Sequence, residues 1–331
     1  MRALLIVNPH ATSTTRLRRD VIVRALSSAV ELEVELTRYR GHATSLAAAA
    51  RSEGFGLVLT LGGDGTVNEA VNGILGPTMP EDAGQTGHPG PGGAGGPGGP
   101  GTDAASLPAL AALPAGNANV FTRNVGLSPD PVDATGQILE ALAAGRYQTI
   151  GLGLAGDRYF TFNAGLGIDA EVVRAVDGHR ARGRTATPGL YVRMILRQYY
   201  RVTDRRHPAL TLERDGQPPV GPLFLGIVSN TAPWTYLGSR PVYASPHAAF
   251  DCGLDVFALS SLRTVSTART MYQMLSPSRP PRGRSVLTLH DQAELTLRSS
   301  RPLAFQVDGE YMGEHECVKF LSVPRALRVI A

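Results

Sequence analysis

The chain has 331 residues, a formal net charge of +4 and 43% apolar residues, enough for two domains with their own cores and too apolar for a disordered protein. No apolar run approaches the roughly eighteen residues that span a bilayer, and Ala3 to Val7 is too short for a secretory signal, so a cytoplasmic protein is expected. Cys252 and Cys317 suit neither a disulfide framework nor a zinc motif, the positive charge is too mild for a nucleic-acid binder, and the sole lysine, Lys319, excludes a Walker-type phosphate loop.

The first half alternates strand and helix. Ala3 to Val7 reads as a strand covered on both faces. A helix from about Arg16 to Ser28, a strand from Leu32 to Leu36 and an alanine-rich helix from Ala43 to Arg51 follow. Leu57 to Leu61 is a second buried strand, ending at Gly62-Gly63-Asp64-Gly65. From Thr66 the apolar positions Val67, Ala70, Val71, Ile74 and Leu75 take up helical spacing. Thr66 and Glu69 are spaced as a capping box at the start of that helix. Residues 84–102 are nearly all glycine and proline, too short a run for a triple helix, and read as a flexible surface insertion. Leu107 to Leu113, the turn Pro114 to Asn119 and a helix from about Val132 to Ala144 complete an α/β domain with a parallel sheet, residues 1–146.

After Tyr147 the period shortens to two. Strands are expected at Tyr159 to Asn163, Leu210 to Glu213, Leu223 to Ser229, Leu254 to Leu259, Val286 to Leu289 and Glu294 to Leu297. Asp215-Gly216 and Asp308-Gly309 are hairpin turn signals. Only about Arg193 to Arg201 reads clearly as helix. Residues 147–331 should therefore form a mainly antiparallel β-sandwich domain, with chemistry in a cleft between the two domains.

Glycines at the end of a buried strand let a phosphate reach the main chain, and the helix behind them points amides at it. Gly62, Gly63, Asp64, Gly65 and Thr66 thus read as a nucleotide-binding glycine turn, with Asp64 holding Mg²⁺ or orienting the nucleotide. Asn8-Pro9 ends the first strand, and carboxyl ends of neighbouring parallel strands share one crevice. On that ground Asn8 and the turn from Gly116 to Asn119 join the glycine turn. Asp308-Gly309-Glu310 by spacing alone reads as an exposed hairpin tip, although two carboxylates there could supply a base.

The order of these motifs resembles the catalytic domain of diacylglycerol and sphingosine lipid kinases, above all the bacterial soluble diacylglycerol kinases. The likeness runs through Asn8-Pro9, Gly41-His42-Ala43, Gly62 to Glu69, Leu113 to Gly116, Asn163 to Ala170 and Gln306 to Glu310. It implies an ATP-dependent kinase that phosphorylates a lipid hydroxyl, with diacylglycerol the leading acceptor, ATP and Mg²⁺ as cofactors, and a membrane lipid as partner. Asn8, Pro9, His10, Ala11, Thr12, Thr37, Gly62, Gly63, Asp64, Gly65, Thr66, Val67 and Asn68 would surround ATP. Asn117 stands where the family often has threonine near the nucleotide. Glu310 would accept the proton, with Asp308 beside it orienting substrate or metal. Asp251-Cys252-Gly253 stands where the family often carries Asp-Asp-Gly, so Asp251 is the candidate ligand of a second metal.

A sphingoid-base kinase, an NAD kinase sharing the glycine turn and a catalytically silent lipid-binding protein are the alternatives. Tyr191, Ile195, Tyr199 and Val202 recur at helical spacing beside Arg193, Arg197 and Arg201. That stripe is expected either to pack into the core or to lie on an anionic membrane surface, and a lipid acceptor favours the membrane. Oligomeric state is not legible.

Overall fold

In the computed structural model, which describes residues 1–11, 15–77, 104–180 and 188–331, the chain forms two compact units. Thr12 and the 84–102 insertion lie outside the described residues. The first unit comprises Met1–Leu152, Asp157–Tyr159 and Val323–Ala331, and the second Gly153–Gly156 with Phe160–Ser322.

The apolar runs of the first half become the strands of the first unit. In chain order it holds β1 (Arg2–Val7), α1 (Arg16–Ser27), β2 (Glu31–Leu36), α2 (His42–Ser52), β3 (Leu57–Gly62), α3 (Asp64–Leu75), β4 (Ala109–Pro114), α4 (Val120–Asn124), α5 (Pro131–Ala143) and most of β5 (Gln148–Ala155). The sheet order is β2-β1-β3-β4, and every pairing is parallel. β3 and β4 are buried along their whole length, which is why they carry no polar alternation. β2 lies at the edge, where exposed Glu31, Glu33 and Glu35 discourage pairing with another chain. Helix starts follow local chemistry. Thr15 accepts the Arg18 N–H, and Asp130 accepts those of Val132 and Asp133 ahead of Pro131.

The second unit holds the end of β6 (Arg158–Phe160), then β7 (Asn163–Gly167), α6 (Ile168–Arg180) and α7 (Pro188–Arg197), the last continued by a π-helical turn over Gln198–Val202. β8 (Leu210–Arg214), β9 (Gln217–Leu223), β10 (Leu225–Ser229), β11 (Thr235–Leu237), β12 (Arg240–Val242), β13 (Leu254–Leu259), α8 (Thr264–Gln273), β14 (Val286–Gln292), β15 (Glu294–Val307) and β16 (Glu310–Val329) complete the chain. The strands run β14-β13-β10-β7-β15-β16, antiparallel throughout. β15 pairs with β8 through Thr296 to Ser299 and with β7 through Phe305 to Val307. A bulge between these stretches bends it, and both arms bury side chains in one core around Phe160, Val256, Leu297 and Phe320. The last residues leave this unit: β16 runs on until Val329 pairs parallel with Leu110 of β4, so the C-terminus belongs to the first unit and not the second.

Three local expectations are corrected. The strand expected from Tyr159 to Asn163 breaks after Phe160, because a side chain distant in sequence takes its N–H groups. α6 and α8 are helices that strand-like composition concealed, α8 being rich in threonine. In α7 the aromatic stripe turns inward: Met194 and Tyr199 are buried, Ile195 packs on Val172 and Val176, and the Tyr199 hydroxyl donates to the Leu262 carbonyl at 2.7 Å. Packing, not a membrane, covers that face. The side chains of Tyr191 and Val202 lie outside the described ones.

Two glycines in helices make opposite demands. A Cβ on Gly73 of α3 would come 2.3 Å from the Thr44 carbonyl oxygen and 2.7 Å from the Ala47 Cβ, whereas one on Gly136 of α5 meets nothing within 4 Å. Gly73→Ala should therefore destabilise by about 1–3 kcal/mol despite its gain in helix propensity, and Gly136→Ala should stabilise by up to about 1 kcal/mol. Urea unfolding of the two variants checks this, and equal effects would disprove close α2–α3 packing.

Candidate active site

Each unit gathers some of the residues singled out above. In the first, the chain passes from β1 to β2 on one side and returns to β3 on the other, a switch of direction at which open parallel sheets take ligands, at the carboxyl ends of β1 and β3. Asn8 follows β1 there. Its N–H donates to the Leu61 carbonyl at 3.0 Å, its Nδ2 donates to Thr66 Oγ1 at 3.3 Å, and its Oδ1 accepts the His10 N–H at 2.9 Å. One side chain thus ties the turn after β1 to the first turn of α3. Pro9 and His10 are exposed beside it, Ala11 donates its N–H to the Asn8 carbonyl, and Thr37 donates its N–H to the Val7 carbonyl.

The glycines are required sterically. A Cβ on Gly62 would sit 2.5 Å from Thr66 Oγ1, and one on Gly116 would sit 2.7 Å from the Gly63 Cα. The turns after β3 and β4 cross at bare backbone, with the Ala115 N–H donating to the Gly62 carbonyl at 2.8 Å. Gly63 caps α3 without any side-chain hydrogen bond, and the N–H groups of Thr66 and Val67 turn back to its carbonyl at 3.0 and 3.2 Å. The Asp64 Oδ1 accepts the Phe121 N–H at 3.1 Å and ties α4 to the same place.

The capping box is overturned. Glu69 reaches across to α2, where its carboxylate accepts the N–H groups of Gly41 at 2.7 Å and Ala43 at 3.1 Å. Val67 is in the core, and the Asn68 side chain is buried against the carbonyl of Tyr159 and the Arg158 guanidinium. Both side chains are thus buried, where the resemblance placed them around ATP. Gly65 is half-buried and Asn117 exposed. The β4–α4 turn is closed by Asn119, in the left-handed region, whose side chain bonds both the N–H and the carbonyl of Gly116.

In the second unit, Asp308 and Gly309 both have positive φ, 46° and 74°, the geometry of a two-residue hairpin between β15 and β16. Asp308 is buried. Its Oδ2 accepts the Thr161 N–H and hydroxyl at 2.7 and 2.8 Å, and its Oδ1 accepts the N–H groups of Phe162 and Asn163 at 3.0 and 3.2 Å. A carboxylate so occupied holds the chain together, a structural role that the sequence did not foresee. Glu310, half-buried, opens β16 opposite Val307.

Next to this turn is a cluster whose three residues lie in segments that carry the resemblance but were given no role from sequence. The Gln306 amide donates to Asn163 Oδ1 at 2.7 Å and to the Asp169 carboxylate at 2.9 Å. Desolvation pushes the Asp169 carboxyl up to about 6, opposed by the Gln306 hydrogen bond. Besides that resemblance, the polar Asn163 and Gln306 inside otherwise apolar β7 and β15 are the signal for it.

Asp251 is exposed. Its neighbour Cys252 has a thiol pushed up by burial and by Asp251, Asp291 and Asp255, away from the thiolate a metal needs. No group of three metal-binding side chains occurs among the described residues. Among the described residues, the side chains around Asp251 therefore form no such group at the second metal site expected there.

Residues 2–153 match the model of the diacylglycerol kinase catalytic domain. Those residues, somewhat under half of the chain, resemble that domain. The whole of this diacylglycerol kinase-like chain aligns with the diacylglycerol kinase of Staphylococcus aureus, at 24% identity over 337 residues covering 92% of the relative. The fold is similar to that of a crystallised diacylglycerol kinase from Bacillus anthracis, with a TM-score of 0.66 at 18% identity over 99% of this chain and 96% of the other. It is also similar to an NAD kinase from Archaeoglobus fulgidus in complex with ATP, with a TM-score of 0.51 at 12% identity over 100% of this chain and 94% of the other.

Two outcomes test these roles. Asp308→Ala leaves several buried donors unmet and should cost about 3 kcal/mol or more. A melting temperature equal to wild type, with activity lost, would return Asp308 to the chemistry. Because the Asp169 carboxyl binds its proton more tightly in the folded chain, its contribution to stability falls as pH rises from 3.8 to about 6. Asp169→Asn should flatten that slope and, near neutral pH, stabilise by at most about 3 kcal/mol, as measured by urea unfolding on both sides of the window.

Proposed function

We propose that the chain transfers the γ-phosphoryl group of ATP to the free hydroxyl of diacylglycerol, forming phosphatidic acid. The observation that carries this reading is the glycine crossing at the ends of β3 and β4, beside the start of α3, whose cap is itself a glycine. Such a place suits phosphate oxygens, which main-chain N–H groups can approach when no Cβ intervenes. Asn8 and Thr66 hold the two turns around it in register.

Asp64 is the residue that would hold Mg²⁺, in the usual mode of one carboxylate together with substrate phosphates. The ion, when bound, neutralises charge on the phosphates. Glu310 is the proposed general base: it takes the proton of the lipid hydroxyl as that oxygen attacks the γ-phosphorus, and ADP leaves with the bridging oxygen. Asp308 fixes the turn that presents Glu310.

Glu310→Gln is expected to lower kcat by roughly 10²- to 10⁴-fold with ATP affinity nearly unchanged. Asp64→Asn retains an acceptor for the Phe121 N–H, so it should fold normally yet lose roughly 10²-fold or more in kcat. Both are measured with radiolabelled ATP and diacylglycerol, with sphingosine and NAD as competing acceptors. Preferred phosphorylation of either competitor would overturn the choice of acceptor, and undiminished turnover in both variants would overturn the site.

A further inference from the structure

All but Leu237 of the exposed large apolar side chains in the second unit, among the described residues, lie on two neighbouring helical segments. Leu196 and Tyr200 are 51% and 54% exposed on α7 and its π-helical turn, and Val265, Met271 and Tyr272 are 83%, 40% and 77% exposed on α8. On α8 the positions Val265, Ala268 and Tyr272 follow helical spacing along one face, while Thr270 points inward. Between the two segments lies a cavity of about 710 Å³, lined by Tyr200 and Thr264 and by the arginines Arg201, Arg205, Arg206 and Arg263. Arg205 stacks over the Tyr199 and Tyr200 rings at 4.8 and 5.6 Å, which fixes its cationic head at the wall.

One carboxylate, that of Asp204, also lines the cavity. It accepts the Arg206 N–H at 2.9 Å and pairs with His207 at 2.7 Å and Arg301 at 3.8 Å. The lining is cationic even with Asp204 ionised. The surrounding sequence has the same sign: between Asp255 and Asp291 there is no acidic residue, and the arginines are Arg263, Arg269, Arg279, Arg282 and Arg284. A protein partner would need an acidic and apolar surface of matching shape. A bilayer supplies both properties everywhere, phosphates at the level of the cavity and acyl chains below them.

We infer that this face docks on an anionic lipid bilayer, α8 laying Val265 and Tyr272 into the interface while the arginine-lined cavity receives a lipid phosphate. Tyrosine suits that depth because its ring is apolar and its hydroxyl is not. The arginines anchor the headgroup and make binding depend on lipid charge and ionic strength. The inference is independent of the proposed reaction, since binding, not turnover, tests it.

The experiment is co-sedimentation of the full chain with phosphatidylcholine vesicles, with and without phosphatidylglycerol. Wild type should bind only the anionic vesicles, and added salt should release it. The triple variant Arg201→Gln, Arg206→Gln, Arg263→Gln should lose roughly 100-fold in affinity, about fivefold for each charge. The variant Val265→Ser, Tyr272→Ser should lose about tenfold or more with its arginines intact. Both change exposed side chains and should melt as wild type. Equal binding to neutral vesicles, or unchanged binding by the triple variant, would refute the inference. So would inorganic phosphate that binds the cavity while wild type ignores vesicles, since the site would then serve a soluble anion. A wild-type dimer that Tyr272→Ser dissociates, with vesicle binding unchanged, would refute it too by showing that a second copy covers the face. Turnover of a short-chain soluble diacylglycerol by these variants separates this failure from failure of the kinase reading.

Discussion

Asp308 takes the N–H groups of Thr161, Phe162 and Asn163 out of any strand ladder, and three features of the second unit follow from that substitution. β6 ends at Phe160 and β7 begins at Asn163, so the chain turns where an uninterrupted strand would run on. The Asp308 N–H donates back to the Asn163 carbonyl at 2.8 Å, which locks the hairpin to the same segment and sets where β16, and with it Glu310, begins. The Asn163 side chain is left to meet Gln306, and through Gln306 to reach Asp169. A buried carboxylate is tolerated because its desolvation is offset by four hydrogen bonds to groups that would otherwise be unpaired.

The first unit meets a different constraint, since the proposed phosphate site there has no lysine to draw on. Lys319, the sole lysine, is engaged with Glu294 at 2.8 Å in the second unit. What the sheet end offers is main-chain amide, exposed by glycines whose replacement would collide with Thr66 or with the facing turn. Carboxylates nearby are used structurally. Glu69 caps α2 and Asp64 receives α4. A helix N-terminus capped from another helix keeps its position without placing a side chain in front of it.

The α7 segment shows how one pattern serves two surfaces. Met194, Ile195 and Tyr199 face the core, whereas Leu196 and Tyr200, each one position further along the chain, face outward. Apolar residues on both sides of a helix cannot be assigned to core or surface by spacing, because 3.6-residue periodicity gives faces but not which one has a neighbour.

Sequence alone determined β1 to β4 and the longer helices of the first unit, though not α4 or β5, and the position of both turns that matter. A continuous apolar run must be covered on both faces, an abrupt glycine cluster must end it, and Asp308-Gly309 must form a tight hairpin, all for reasons local to a few residues. It could not determine what each carboxylate does. Asp308 and Glu310 are two residues apart and chemically alike, yet the partners of Asp308 are 145 to 147 positions away in the chain, and Glu69 spends its charge on amides at Gly41 and Ala43 and none on its own helix. The same holds for the return of β16 to β4 and for the arginine-lined cavity between α7 and α8. Each is a juxtaposition of segments remote in sequence, fixed only when burial makes unpaired polar groups costly and close packing leaves one arrangement that satisfies them.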